Sequence, residues 1–130
     1  MILIIGSLFG LISVAFGAYA EHGLRARVST EDFRFLMTAI RYNQIHAVMI
    51  SAIGLTLLSS TQLSKVFLLQ ASSWFFIAGV ILFSFSIYLS VSFGLPSLLK
   101  ITPVGGITIM LAWLLLLIAP FFVSKAASVL

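Results

Sequence analysis

Apolar residues dominate four long stretches of the chain, at positions 1–20, 39–59, 66–93 and 104–123, and polar residues collect in the intervals between them. At about 1.5 Å per residue, each stretch is long enough to cross a hydrocarbon layer of about 30 Å as a helix. The third exceeds that need, so it should tilt or extend past the headgroups. A transmembrane barrel is excluded, because barrel strands are alternating segments of about 10 residues and no such alternation is present. Ala18-Tyr19-Ala20 resembles a signal-peptidase site, yet no Lys or Arg precedes the first run. A secretory leader has a basic start and a shorter core, so a retained span is expected.

The connections differ in kind. Residues 59–65 make a short polar turn, so the second and third spans should be antiparallel neighbours. Gly94, Pro96 and Lys100 mark a loop before the fourth span, where Thr102 and Pro103 suit a helix start. Between the first two spans, Ser29 and Thr30 precede Glu31 and Asp32, a capping hydroxyl followed by first-turn acids. Phe33, Leu36, Met37 and Ile40 then recur at helical spacing. Residues 30–40 are therefore an amphipathic segment, either lying at the interface or forming the exposed first turns of the second span.

Composition agrees with lipid as the solvent. Of 130 residues, 62% are hydrophobic and only 8% charged, against about 25% in a typical soluble domain. A soluble enzyme is excluded. With no cysteine, disulfide frameworks, thiolate metal sites and cysteine nucleophiles are excluded too. The net charge of +4 is too sparse for a nucleic-acid surface, and no nucleic-acid partner is expected. Its distribution instead orients the chain. Arg25, Arg27, Arg34, Arg41 and Lys100 fall on one side, and Lys65 and Lys125 on the other. The excess of basic residues puts the first and third connections in the cytoplasm and both termini outside, in a bacterial cytoplasmic membrane.

Helices associate in lipid where small side chains let backbones approach. Each span carries one such face: Gly6, Gly10, Ser13 and Gly17; Ala47, Ser51 and Gly54; Ser72, Gly79, Ser86 and Ser90; Gly105, Gly106 and Ala112. Internal packing of a single four-helix domain, residues 1–130, is the expected use, with dimerisation as the alternative. The twelve Phe residues, with Trp74 and Trp113, read as lipid-facing or packing residues, and no cofactor is expected.

Polar groups at membrane depth are costly unless paired, which makes them functional candidates. Glu21, His22, Arg41, Asn43, His46, Tyr88 and Thr102 all fall toward the cytoplasmic end of this arrangement. Asn43 and His46, three apart, share a helix face. These residues are expected to form one polar cluster that fixes the end of the bundle or binds a ligand. A proton relay or carrier through His22, Glu21 and His46 is the alternative, although the outer halves offer no ionisable group. Metal ligation is not expected, since two histidines and one carboxylate fall short of the usual zinc set. No catalytic arrangement of paired carboxylates or nucleophile and base lies within the spans, so no enzyme is expected.

Phe16-Gly17-Ala18-Tyr19-Ala20-Glu21-His22-Gly23-Leu24 resembles the Gly-Ala-Phe-Gly-Ala-His-Gly-Leu signature of the domain of unknown function 423 family, small YgdD-like four-span membrane proteins. The likeness continues through Tyr42-Asn43-Gln44-Ile45-His46-Ala47, Leu82-Phe83-Ser84-Phe85-Ser86-Ile87-Tyr88 and Thr102-Pro103-Val104-Gly105-Gly106, with Trp113 beyond. Ala20 and Glu21 depart from it, the latter adding a carboxylate beside the histidine. The resemblance implies a multi-pass membrane protein and supplies no reaction. The expected role is a structural scaffold whose partners are membrane lipid, another membrane protein or a second copy of the chain.

Overall fold

The computed structural model describes the backbone of residues 1–127 and the side chains of residues 1–123. Among them every regular element is helical. The side chain of Lys125, counted above for orientation, and the C-terminal Leu130 lie outside the described residues.

Helix α1, Ile2–Tyr19, widens into a π-helical turn at Ala20–Leu24. Helix α2, Thr30–Ser59, starts where the Asp32 backbone N–H donates to the Ser29 hydroxyl at 3.0 Å, with Glu31 and Asp32 in its positively polarised first turn. The amphipathic segment expected between the first two spans is not a separate element. Residues 30–40 are the first turns of α2, which runs unbroken for 30 residues because no Pro or Gly interrupts it before Gly54. Helix α3, Phe67–Val80, passes through a second π turn, Ile81–Phe85, into α4, Ser86–Phe93. Gly94 then stops the rod with φ at 64°, a left-handed conformation that suits glycine. A 3-10 turn at Pro96–Lys100 leads to α5, Thr102–Ala127. Pro120 lies inside α5 and does not end it.

Three continuous rods are long and apolar enough to cross a membrane: Ile2–Leu24, Phe67–Phe93 and Pro96–Val123. Helix α2 is long enough, but Tyr42, Asn43, Gln44 and His46 dilute its apolar character, and it is not one of the three.

The rods associate in two pairs, α1 with α2 and α3 with α5, and α2 also touches α3 and α4. Backbone proximity explains the pairs. A Cβ on Gly54 would stand 2.6 Å from the Leu3 nitrogen, and one on Gly6 2.7 Å from the Ser51 nitrogen. On the other pair, a Cβ on Gly79 would meet the Ile109 side chain at 2.5 Å, and one on Gly105 would strike the backbone of Leu82 and Phe83. Gly10, Gly17 and Gly106 are looser, with their nearest neighbours, Ala47, Ile40 and Phe83, 3.7 Å or more from the Cβ position. The buried apolar side chains form two clusters. One gathers Phe9, Ile50, Phe76, Val80 and Ile109; the other gathers Ala20, Leu24, Leu36, Ile40 and Tyr88 nearer the Arg-bearing connections.

Candidate functional site

Helix α2 belongs to the first pair and also touches the second, so its polar residues face different neighbours according to small differences in position around the helix. Asn43 and His46 are about 60° apart on the helical wheel and both buried. Asn43 turns toward α4, where its Nδ2 donates to the Tyr88 hydroxyl at 3.2 Å. Its Oδ1 is buried without a hydrogen-bond partner among the described residues. Tyr88 is fixed by stacking on Phe16 of α1, with ring centroids 4.0 Å apart and 13° between planes.

His46 turns toward α5. Its Nδ1 lies 2.6 Å from the Tyr42 carbonyl oxygen, one turn earlier, and its Nε2 lies 3.2 Å from the Trp113 indole nitrogen. A carbonyl only accepts and an indole N–H only donates. The ring is therefore the neutral tautomer with its proton on Nδ1, donating to Tyr42 and accepting from Trp113. Both ring nitrogens are engaged. Aromatic packing holds this geometry: Phe76 meets the Trp113 ring edge-on at 5.1 Å and lies 5.4 Å from the imidazole.

Beside this pair a groove of about 540 Å³ opens between α2 and α5. Tyr42, His46, Phe83, Gly106, Met110 and Trp113 are among its lining residues, and Tyr42 stacks on Phe83 at 4.6 Å to form one wall. Most of its exposed lining is apolar, and His46 is the one ionisable imidazole among its lining residues.

The remaining expected site residues do not join either constellation. Glu21 and His22 sit in the π turn that ends α1, both exposed, and Glu21 pairs with Arg25 one turn on. Arg41 is exposed on α2. Thr102 shares a hydrogen bond of 2.9 Å with Ser86, tying the start of α5 to α4. The single polar cluster expected from sequence is thus corrected to separate groups: Asn43 with Tyr88, His46 with Trp113, Thr102 with Ser86, and an exposed Glu21–Arg25 pair. The two histidines belong to different groups, since the π turn leaves His22 at the surface while His46 is enclosed by α3 and α5. Among the described residues no three His, Asp or Glu side chains converge as a metal would require.

By sequence, Trp113 reads as a lipid-facing or packing residue and Ser84 has no role beyond the family motif. Trp113 is the donor to His46, and Ser84 donates to the Ala39 carbonyl at 2.7 Å, bonding the second π turn to α2. For Trp113 a signal existed, because an indole N–H at membrane depth must find an acceptor.

Long apolar helices joined by buried polar contacts, with hydrophobic side chains facing outward along every rod, define a small all-helical membrane protein. Residues 16–106 match the family described as "Protein of unknown function (DUF423)", and the chain belongs to that family. It is 31% identical over 121 residues to UPF0382 membrane protein SAB0533 of Staphylococcus aureus (strain bovine RF122 / ET3-1), covering 93% of this chain and 95% of that one. It is 26% identical over 117 residues to UPF0382 membrane protein YwdK of Bacillus subtilis (strain 168), covering 90% and 93%. A UPF0382 membrane protein of Haemophilus influenzae is 30% identical over 115 residues, covering 88% and 89%. No solved structure matches the chain. The family is one of uncharacterised membrane proteins with no specific activity attached.

Proposed function

We propose that α2 is a fourth membrane-crossing helix and that the protein is a non-catalytic scaffold holding a lipid acyl chain in the groove between α2 and α5. Support for the fourth span comes from residues 42–59, which carry no charged side chain and run against apolar α1. The 30 residues of α2 extend about 45 Å, so roughly the first 15 Å, rich in charge, would project beyond a 30 Å hydrocarbon layer. Both termini then lie outside a bacterial cytoplasmic membrane, with the basic connections inside. A reporter active only in the cytoplasm, fused after Leu130, should be silent; activity would reverse this orientation.

The groove carries the reading. It opens sideways between two helices, its lining is apolar and aromatic, and lipid is the solvent at that depth. Pro103 and Trp113, both in its lining, are ten residues apart on α5, about 15 Å, which is one leaflet of the hydrocarbon core. The chain's three carboxylate side chains, Glu21, Glu31 and Asp32, lie near the connections and not in the groove, which favours binding over catalysis. No observation favours a proton carrier: both nitrogens of His46 are engaged, and His22 is exposed in another part of the molecule.

The test is native mass spectrometry of protein purified in mild detergent, comparing wild type with Gly106→Leu. A Cβ at Gly106 has only the Phe83 ring nearby, at 3.9 Å, so a side chain can start into the groove there, and leucine is chosen to fill it. Wild type should retain a lipid that the variant loses. A wild type stripped of lipid, or a variant that keeps it, overturns the reading.

A further inference from the structure

We propose that the groove selects an anionic glycerophospholipid, with Arg41 and Lys100 holding its phosphate at the groove mouth. This rests on the lipid-binding reading above and adds the headgroup to it. Arg41 precedes the groove-lining Ile45 by one turn of α2, and Lys100 precedes the groove-lining Pro103 by three residues at the entry to α5. The two basic side chains thus flank the same end of the groove from its two walls, and both are exposed.

Neither has an ion-pair partner among the described residues. The ion pairs among the described residues are Arg25 with Glu21 and Arg34 with Glu31. Asp32, the third carboxylate, lies nine residues before Arg41 on α2, about 14 Å along the axis. Thr102, between Lys100 and Pro103 in sequence, has its hydroxyl engaged with Ser86. The mouth therefore offers two cations, and the groove below offers hydrocarbon.

The dimensions fit one molecule across both regions. A phosphate at the level of Arg41 and Lys100 sits at the edge of the hydrocarbon layer. From Pro103 down to Trp113 the groove then runs about 15 Å, the reach of one acyl chain through its leaflet. A zwitterionic headgroup brings its own cation to a mouth that already has two, whereas an anionic headgroup does not. Each basic residue near a membrane surface favours an anionic lipid by about fivefold.

The experiment reconstitutes the full chain into nanodiscs of equal phosphatidylglycerol and phosphatidylcholine with identical acyl chains, then counts retained lipids by native mass spectrometry after gentle extraction. Wild type should retain phosphatidylglycerol in preference by more than tenfold. R41Q and K100Q should each lower that preference about fivefold, and the double variant should abolish it. In phosphatidylcholine-only discs both variants should hold as much lipid as wild type. Equal retention of the two headgroups by wild type, or an undiminished preference in the double variant, overturns the headgroup assignment and leaves the groove standing. Absence of any retained lipid on wild type overturns the groove as well.

Discussion

The seam between α1 and α2 and the seam between α2 and α5 are joined in different ways, although a groove of similar volume runs along each. Along the first, glycines bring backbones together: Gly6 lies against Ser51 and Gly54 against Leu3, and no side chain would fit between. Along the second, α2 and α5 are kept apart by rings, with Tyr42, Phe83 and Trp113 around a space of about 540 Å³ and Phe76 packed edge-on against Trp113, bridged by one His46–Trp113 hydrogen bond. In lipid, extra apolar burial gains little, so a closed seam maximises direct contact and needs no further explanation. An open seam forgoes that contact. The first seam is not closed throughout, because a groove of about 530 Å³ runs past Gly10, Ser13, Ala47 and Ser51, so the contrast is one of what joins the helices, backbone contact in one seam and side chains in the other.

The largest expected effect comes from adding one methyl group where a glycine touches backbone, set against one where it does not. Gly54→Ala and Gly105→Ala set a carbon against backbone that cannot move aside, and each should destabilise the protein by about 3 kcal/mol. Gly10→Ala, whose nearest neighbour is the Ala47 methyl at 3.9 Å, should be neutral or gain up to about 1 kcal/mol from helix propensity. Thermal unfolding in detergent, followed by circular dichroism, measures all three. Equal losses at Gly54 and Gly10 would mean that the seams are not closed by backbone contact.

The next largest effect concerns the Asn43–Tyr88 pair. Tyr88→Phe removes the partner of a fully buried amide that already has one unsatisfied oxygen, and should cost about 1–2 kcal/mol. Tyr88→Phe in an Asn43→Leu background should be nearly silent, since no polar group is then left behind. The same unfolding measurement tests both, and a cost that persists in the double variant would make the loss one of packing.

How much of this was legible beforehand follows from the same contrast. Small residues at helical period announced a packing face on every rod, because close approach is a property of the residue itself. Which faces meet was not written locally: nothing in Gly54 names Leu3, and nothing in Gly79 names Ile109. Polar residues were legible as a group at one end and illegible as pairs. Asn43 and His46 share a face by spacing, yet α2 meets several helices at once and about 60° of rotation sends them to different partners. Trp113 was hidden by its bulk, which suggested packing and obscured its donor. The π turns at Ala20–Leu24 and Ile81–Phe85 had no sequence signal that periodicity detects.

A double-mutant cycle sharpens the comparison at the open seam. His46→Ala should lower the melting temperature in detergent, because the imidazole bonds both its own helix and α5. Trp113→Phe keeps most of the ring and removes the donor, so it should cost about 0.6 kcal/mol, a typical hydrogen bond between membrane helices. If that bond is the bridge, Trp113→Phe should cost nothing further once His46 is alanine. Full additivity of the two losses would show that the seam is held by ring packing alone.

The smallest effect belongs to the end of α1, where Glu21 and Arg25 pair one turn apart at the surface. Their side chains are 42% and 65% exposed, so water and salt screen the attraction. Glu21→Gln should therefore change stability by no more than about 0.5 kcal/mol, and less at high ionic strength. Lipid retention should be unchanged as well, because this pair stands on α1 while the groove lies between α2 and α5. The measurement is unfolding at low and high salt beside native mass spectrometry of the same preparation. A loss of bound lipid in Glu21→Gln would connect the π turn to the groove, and the end of α1 and the α2–α5 seam would then not be independent.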